Sequence, residues 1–480
     1  MNRNIYELCF VTDRDFLRDI SLEEAVEKSI LGGVSMIQLR EKNISKEEFI
    51  NIGKSILQIT RKYNIPLIIN DNVSVALELD AEGVHLGQGD MNPIEARKIL
   101  GENKIIGISI SSLEEFEKSK NYPVDYYGVG PIYITNTKKD ANPAMGLENL
   151  KKLKKLTDKP LLTIGGINVS NVHEIIENNG DGVAIISGIL KDENKIYENT
   201  VNISKKLRTS FIKKRLDQKI EKLREKNPLI YHLTNTVTIN DCANVTLAIG
   251  GSPLMSFCLE EIEEIIKISN GIVLNIGTMD KEMRNILLEV GKLANKYEKP
   301  IVLDPVGIGA TKCRKELIKN LLENVQISVI KGNLAEIKSI INWSGKSKGV
   351  DSLDNSLEDE ILDLGKEFMK KYNCVLGITG KNDYIFSKEE IIKISNGHEK
   401  MSKVTGTGCM TASLIGSFLG SFENDFLSTI LGIGIMGISG EIASSQCETL
   451  GTGSLRVKII DNISLINSEI FLEKIKIESL

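Results

Sequence analysis

The stretch Val404-Thr405-Gly406-Thr407-Gly408-Cys409-Met410-Thr411 joins three features that together can do chemistry. Two glycines alternate with threonines in a loop. An apolar, small-residue helix is expected to follow over residues 412–416. A cysteine stands at the turn into it. Backbone N–H groups at a helix start have no partner within the helix, so they form a ready anion site. The positive end of a helix dipole in general favours a thiolate over a thiol. The loop therefore reads as a place where a phosphate meets a side chain able to take a proton, or as a plain helix cap.

A second set of chemistry-bearing residues recurs at the ends of β-rich runs in the first 205 residues. Gln38, Arg40 and Lys42 alternate, so an extended strand end puts all three on one side. Such donors suit a diphosphate; a solvated strand end reads the same way. Asn70-Asp71 and Gly87-Gln88-Gly89-Asp90 close the next two runs. Asp71 and Asp90 could share a Mg²⁺, which takes a few carboxylates plus substrate phosphate oxygens; capping a turn or helix is the other use of each. His85 reads as a satisfied residue near the core. Thr135, Thr137 and Lys138 offer hydroxyls and a cation on a loop long enough to act as a lid. Gly165-Gly166 and Ile186-Ser187-Gly188 match the backbone phosphate site of a barrel's seventh and eighth strand ends.

These residues need elements to hold them. Strand-like runs rich in Val, Ile and Leu begin near Tyr6, Val34, Pro66, Gly83, Ile105, Tyr126, Leu161 and Val183. Helical patterns lie between them, as over residues 45–63 and 147–156. Eight βα units in about 200 residues predict a (β/α)₈ TIM barrel; a doubly wound open sheet is the alternative. The basic segment 205–226 places Ile212, Leu216, Ile220 and Leu223 on one helical face, with its charges on a solvated back face. It reads as a linker into a second half, giving domains at 1–208 and 209–480. The second half has strands near Leu229, Ile272, Ile301, Ile327 and Val375 and a more helical last third. This predicts an α/β/α sandwich with ligands at the strand C-termini. Residues 344–356 are expected to form a surface loop.

Bulk properties set limits. A chain of 480 residues splits into two or three domains. Its net charge of −5 offers no basic field for nucleic acid. Seven scattered cysteines without a C-x-x-C predict a reducing, cytoplasmic setting. The longest apolar stretch, 426–440, reads as a buried helix rather than a membrane span.

In the first half, the ordered set Q-x-R-x-K, N-D, G-x-x-x-G-Q-x-D, G-P-I-Y-x-T-x-T-K and I-G-G-I resembles the thiamine-phosphate synthase family. The resemblance implies that hydroxymethylpyrimidine diphosphate and a thiazole phosphate are joined with Mg²⁺ assistance. It implies Gln38, Arg40, Lys42, Asn70, Ser109 and Lys138 at the pyrimidine diphosphate. Asp71 and Asp90 fall at the metal, and Thr135, Thr137, Gly166, Ile186 and Ser187 at the thiazole phosphate. Ile134 departs from the proline common in that family.

In the second half, Leu274-Asn275-Ile276-Gly277-Thr278, L-D-P-V-G-x-G-A, K-G-N-x-A-E-I and K-V-T-G-x-G-C resemble the ribokinase-like hydroxyethylthiazole kinase family. That implies phosphoryl transfer from ATP to the thiazole alcohol. Met255 and Gly406 then contact the alcohol, Lys331, Thr379 and Asn333 contact ATP, and Asp304 and Glu336 help place Mg²⁺. A core position is the other reading of Met255. Cys409 falls where related kinases carry an aspartate base. Lys331 replaces a frequent arginine, keeping the charge but losing the planar fork. The kinase resemblance also implies a homo-oligomer, specifically a trimer. Two other functions stand as alternatives. A thiazole-phosphate isomerase relative should lack Arg40, Lys42, Asp71 and Asp90. A metabolite-binding regulator should lack Asp71, Asp90, Glu336 and Cys409. All are present.

Overall fold

The computed structural model describes residues 4–135, 143–342 and 356–480. The chain divides into two compact units, Met1–Lys214 and Arg215–Leu480. The division falls inside one helix, Ile196–Leu216. Gln218 adopts a left-handed backbone before the next helix, Lys219–Lys226. Ile212, Leu216, Ile220 and Leu223 are all buried, so the basic segment is two helices, each with buried apolar residues.

The first unit is a closed, all-parallel barrel of eight strands in sequential order. They are β1 (Leu8–Val11), β2 (Met36–Leu39), β3 (Leu67–Asn70), β4 (Gly83–Leu86), β5 (Ile105–Ile110), β6 (Tyr126–Val129), β7 (Leu161–Ile164) and β8 (Gly182–Ile185). β8 pairs back onto β1, with Leu8 opposite Val183. The intervening helices start where side-chain oxygens accept orphan backbone N–H groups: Ser21, Ser45, Asn72, Asn92 and Ser112 do this for five of them.

The second unit is a nine-stranded sheet in the order β10-β9-β11-β12-β13-β14-β15-β16-β17. Its parallel part holds β9 (Leu229–Leu233), β10 (Ser252–Met255), β11 (Gly271–Asn275), β12 (Ile301–Asp304), β13 (Val329–Asn333) and β14 (Val375–Thr379). Three antiparallel strands extend it: β15 (Asp383–Phe386), β16 (Ile391–Ile394) and β17 (Ile477–Ser479). The strand pattern in the sequence misses β10 and this extension. β10 is an edge strand holding Pro253, which an edge tolerates, and the other three are short. The apolar stretch is helix Asp425–Gln446, whose apolar window is 89% buried within the protein. Of the expected loop 344–356, only Ser356 falls among the described residues, where it caps helix Leu357–Lys371.

The barrel closes tightly at Gly182, where a Cβ would overlap the carbonyl oxygen of Tyr6. Gly182→Ala should destabilise the barrel by about 1–3 kcal/mol through overpacking, read as a lowered urea midpoint for the first unit with the second unit's unfolding unchanged.

Candidate functional site

Parallel strands carry their C-terminal residues to one rim, and the barrel's rim holds two adjoining cavities. One, of about 220 Å³, is lined by Gln38, Arg40, Lys42, Asn70, Asp71, Asp90 and Ser109, so all seven meet in one place. Gln38 Nε2 donates to Asn70 Oδ1 at 2.7 Å, fixing one donor against its neighbour. Arg40 pairs with Asp13 at 3.4 Å, both largely buried. Asp71 sits in a left-handed backbone (φ 65°) with its N–H donated to the carbonyl of His85 at 2.8 Å. Asp90 Oδ2 accepts from Gly87 N at 2.6 Å.

The other cavity, of about 290 Å³, is lined by Thr135, Gly166, Ile186 and Ser187. Ser109 and Ile186 line both. Gly166 has φ 69°, and a Cβ there would stand 2.8 Å from the Tyr133 Cβ. Glycine is thus required both for backbone angle and for space. Thr137 and Lys138 lie outside the described residues. Ile134, the departure from proline, is 89% exposed. His85 is satisfied, as expected, yet it also lines the first cavity.

In the second unit the strand ends carry a connected polar cluster. Helix Thr407–Leu419 begins at Gly406, whose φ of 86° and contact with Thr238 exclude a side chain. Its first i→i−4 bond runs from Met410 N to Gly406 O, so the N–H groups of Thr407, Gly408 and Cys409 precede the ladder. Cys409 Sγ receives Asn235 Nδ2 and Asn275 Nδ2, each at 3.3 Å. Asn235 also donates to Asn275 Oδ1 at 3.0 Å, and Asn275 to Asp304 Oδ2 at 2.9 Å. Lys331 Nζ donates to Asp304 Oδ1 at 3.4 Å and to Gly408 O at 3.0 Å. Burial works against the Lys331 charge, but Asp304, Glu336 and Cys409 outweigh it and hold the ammonium above its ordinary range.

The residues around this cluster have structural duties too. Asn333 and Glu336 form a capping box for helix Leu334–Ile341, and Glu336 Oε1 also accepts from Gly307 N at 2.9 Å. Thr379 lies opposite Asn333 across β13 and β14, its hydroxyl donating to Gly332 O at 3.4 Å. Met255 ends the edge strand β10 and is half-buried, not a core residue. Asn235 and Asn275 are partners of Cys409 that no sequence motif points to. Asn235 lies two residues beyond β9, next to Thr234, and Asn275 ends β11 within Leu274-Asn275-Ile276-Gly277-Thr278. Among the described residues no three His, Cys, Asp or Glu side chains form a metal cage.

The geometry has close counterparts. Residues 8–189 match the family model described as thiamine monophosphate synthase, and residues 220–469 match the hydroxyethylthiazole kinase family. A probable thiamine biosynthetic bifunctional enzyme of Schizosaccharomyces pombe is 34% identical across 100% of this chain and 99% of its own length. The chain belongs to the bifunctional thiamine biosynthesis enzymes. A hydroxyethylthiazole kinase of Clostridium tetani is 43% identical over 55% of this chain and 98% of its own. The solved hydroxyethylthiazole kinase of Pyrococcus horikoshii, 34% identical, superposes with a TM-score of 0.51 over 56% of this chain and 99% of that one. The barrel is therefore the synthase unit and the sandwich the kinase unit. Both are transferases, and the kinase unit uses ATP.

Two outcomes are expected in the kinase unit. Asn275→Ala disconnects Cys409 from Asp304 and should lower the kinase rate at least about tenfold, the scale of one lost hydrogen bond to the reacting group, with synthase activity unchanged. Asp383 accepts from Gly380 N at 2.9 Å beside Thr379, and burial pushes its carboxyl up to about 7. In the unfolded chain it titrates near about 4. The fold thus binds the extra proton between these values, and stability should fall as pH rises from about 4 to about 7. Urea midpoints of Asp383→Asn should lose that slope.

Proposed function

We propose that the kinase unit transfers the γ-phosphoryl group of ATP to the hydroxyethyl oxygen of 4-methyl-5-(2-hydroxyethyl)thiazole. The synthase unit then joins that thiazole phosphate to hydroxymethylpyrimidine diphosphate. In the joining step the bond from the pyrimidine methylene carbon to the ester oxygen breaks and diphosphate departs with the electron pair. The thiazole nitrogen bonds to the resulting cation, giving thiamine phosphate. The observation that carries the reading is the pair of adjoining barrel cavities. One is lined by Gln38, Arg40, Lys42, Asp71 and Asp90, the other by Thr135, Gly166 and Ser187.

Each residue has a physical task. Arg40 and Lys42 neutralise the diphosphate as its charge grows, and Gln38 and Asn70 orient the pyrimidine end. Thr135 lines the second cavity, and the resemblance assigns Thr137 to the thiazole phosphate and Lys138 to the pyrimidine diphosphate. Backbone N–H groups at Gly166, Ile186 and Ser187 receive the thiazole phosphate. Asp71 and Asp90 are hard oxygen ligands on one cavity wall, fitting a Mg²⁺ that is completed by substrate oxygens. Bound there, Mg²⁺ would stabilise the leaving diphosphate.

In the kinase unit, Lys331, Thr379 and Asn333 hold the ATP phosphates at the ends of β13 and β14. Met255 and Gly406 hold the thiazole alcohol. The N–H groups at the start of helix Thr407–Leu419 stabilise the phosphoryl group in transfer. Cys409 takes the alcohol proton, its sulfur held by Asn235 and Asn275. Asp304 and Glu336 would help hold Mg²⁺; both are already fixed by N–H donors, which pre-organises their remaining lone pairs. We extend the reading to a cytoplasmic homo-oligomer, a trimer through the kinase unit. Exposed Val237, Leu247, Leu450 and Val457 supply apolar surface for it. Sedimentation as a monomer alone would reject that assembly.

A coupled assay tests the whole reading. Purified protein given hydroxyethylthiazole, Mg·ATP and pyrimidine diphosphate should yield thiamine phosphate, and folded protein yielding none would sink it. Asp71→Ala should abolish only the joining step. Cys409→Ala should lower only phosphorylation, and an unchanged kinase rate would remove its role as base.

A further inference from the structure

We propose that Tyr126 and His85 are positioning residues that fix Ser109 as a hydrogen-bond donor into the synthase cavities. The inference rests on the reading above, in which Ser109 faces the pyrimidine diphosphate. Three polar groups stand in line across the barrel. The Tyr126 hydroxyl lies 2.9 Å from His85 Nδ1, and His85 Nε2 lies 2.8 Å from Ser109 Oγ. Tyr126 is fully buried and His85 nearly so, whereas Ser109 lines both cavities.

The direction of each bond follows from counting protons. Burial holds the Tyr126 hydroxyl well above its ordinary range, so it stays a phenol with one O–H to donate. A buried O–H left unpaired is costly. Among the described residues, the partner found for that hydroxyl is His85 Nδ1. Nδ1 must then accept, so the imidazole carries its proton on Nε2. Nε2–H donates to Ser109 Oγ, which leaves the serine's own proton free of His85 and available to the cavity. The opposite tautomer would strand the tyrosine proton. Imidazolium would strand it too.

The surrounding backbone makes room for this arrangement and for no other side chain. A Cβ on Gly128 would stand 2.6 Å from His85 Cε1, and one on Gly107 would overlap the Tyr126 ring. The His85 and Tyr126 rings stack, with centroids 5.5 Å apart and planes at 30°. Gln88 Nε2 donates to the Ser109 carbonyl at 2.7 Å, so the serine backbone is held as well. The ligand this recognises is one that presents an acceptor atom to Ser109: on the pyrimidine diphosphate, an unprotonated ring nitrogen or the ester oxygen that leaves.

Two measurements on the full-length chain test the relay. It contains four histidines, so [¹⁵N]histidine labelling with His85→Gln for assignment reads the tautomer directly. We expect Nε2–H in the parent protein and a shift toward mixed tautomers in Tyr126→Phe. An Nδ1–H tautomer in the parent overturns the proposal. Kinetically, Tyr126→Phe should lower the joining kcat about tenfold, the scale of one misdirected hydrogen bond, with KM values within about twofold and the kinase rate unchanged. Tyr126→Phe combined with Ser109→Ala should be no worse than Ser109→Ala alone. Multiplying losses would mean that Tyr126 acts elsewhere and would overturn the relay. If Tyr126→Phe folds poorly, His85→Gln replaces it: its amide N–H can stand where Nε2–H stands and should keep more activity than His85→Leu, and equal losses in the two count against the relay. If Ser109→Ala leaves joining unchanged, the assignment of the cavity falls, while the tautomer measurement still decides the relay.

Discussion

Parallel pairing is the constraint on which both units depend. Strands running the same way deliver their C-terminal residues to one edge, and each must be reached by a crossover helix. In the barrel that edge collects Gln38, Asn70, Asp71 and Asp90 from residues far apart in the chain. In the sandwich it collects Asn235, Asn275, Asp304 and Lys331 beside the start of helix Thr407–Leu419. The antiparallel extension β15–β17 shows the contrast. It widens the sheet, but the polar cluster around Cys409 is built from the parallel strands β9, β11, β12 and β13 alone.

Charge is handled differently in the two rims. The barrel keeps Arg40, paired with Asp13 at 3.4 Å, on the wall of a cavity able to admit a diphosphate. The kinase unit buries Asp304 and Lys331 almost completely. Burying two charges costs several kcal/mol per ion before pairing, and only good partners offset it. Those partners are present: Asn275 for the carboxylate, Gly408 O for the ammonium. Lysine in place of arginine therefore serves a compact, point-charge role here, joined to Asp304 and to the helix start by separate bonds.

Much of this was legible in the sequence because it follows from period and position. Buried parallel strands read as Val-, Ile- and Leu-rich runs, so all eight barrel strands fall within two residues of their expected starts. The polar residues that interrupt those runs at their ends proved to share cavities. What stayed hidden depends on side-chain contacts between distant strands. No spacing rule places Asn235 and Asn275 against Cys409, since they stand 174 and 134 positions away in the chain. Local pattern also hid a second duty. Asn-x-x-Glu at 333–336 suggests phosphate and metal chemistry, yet the same spacing is that of a capping box, and the side chains make both of its bonds. β10 escaped notice because Pro253 and Ser252 look like a turn, and an edge strand does not require every N–H.

The hidden parts share a physical logic. Behind each proposed reactive group stands a buried hydrogen-bond chain of neutral side chains: Tyr126 and His85 behind Ser109, Asn235 and Asn275 behind Cys409. A neutral amide, phenol or imidazole can be buried at modest cost when all its hydrogen bonds are made, whereas an ion at the same place would have to be paired. Neutral chains therefore set direction without adding a competing charge beside a substrate that is itself highly charged. They also pre-organise the front residue, so less reorganisation is left for the reaction. That is why such positions escape motif reading. Their residue types are ordinary for a core, and their function lies in which way one proton points.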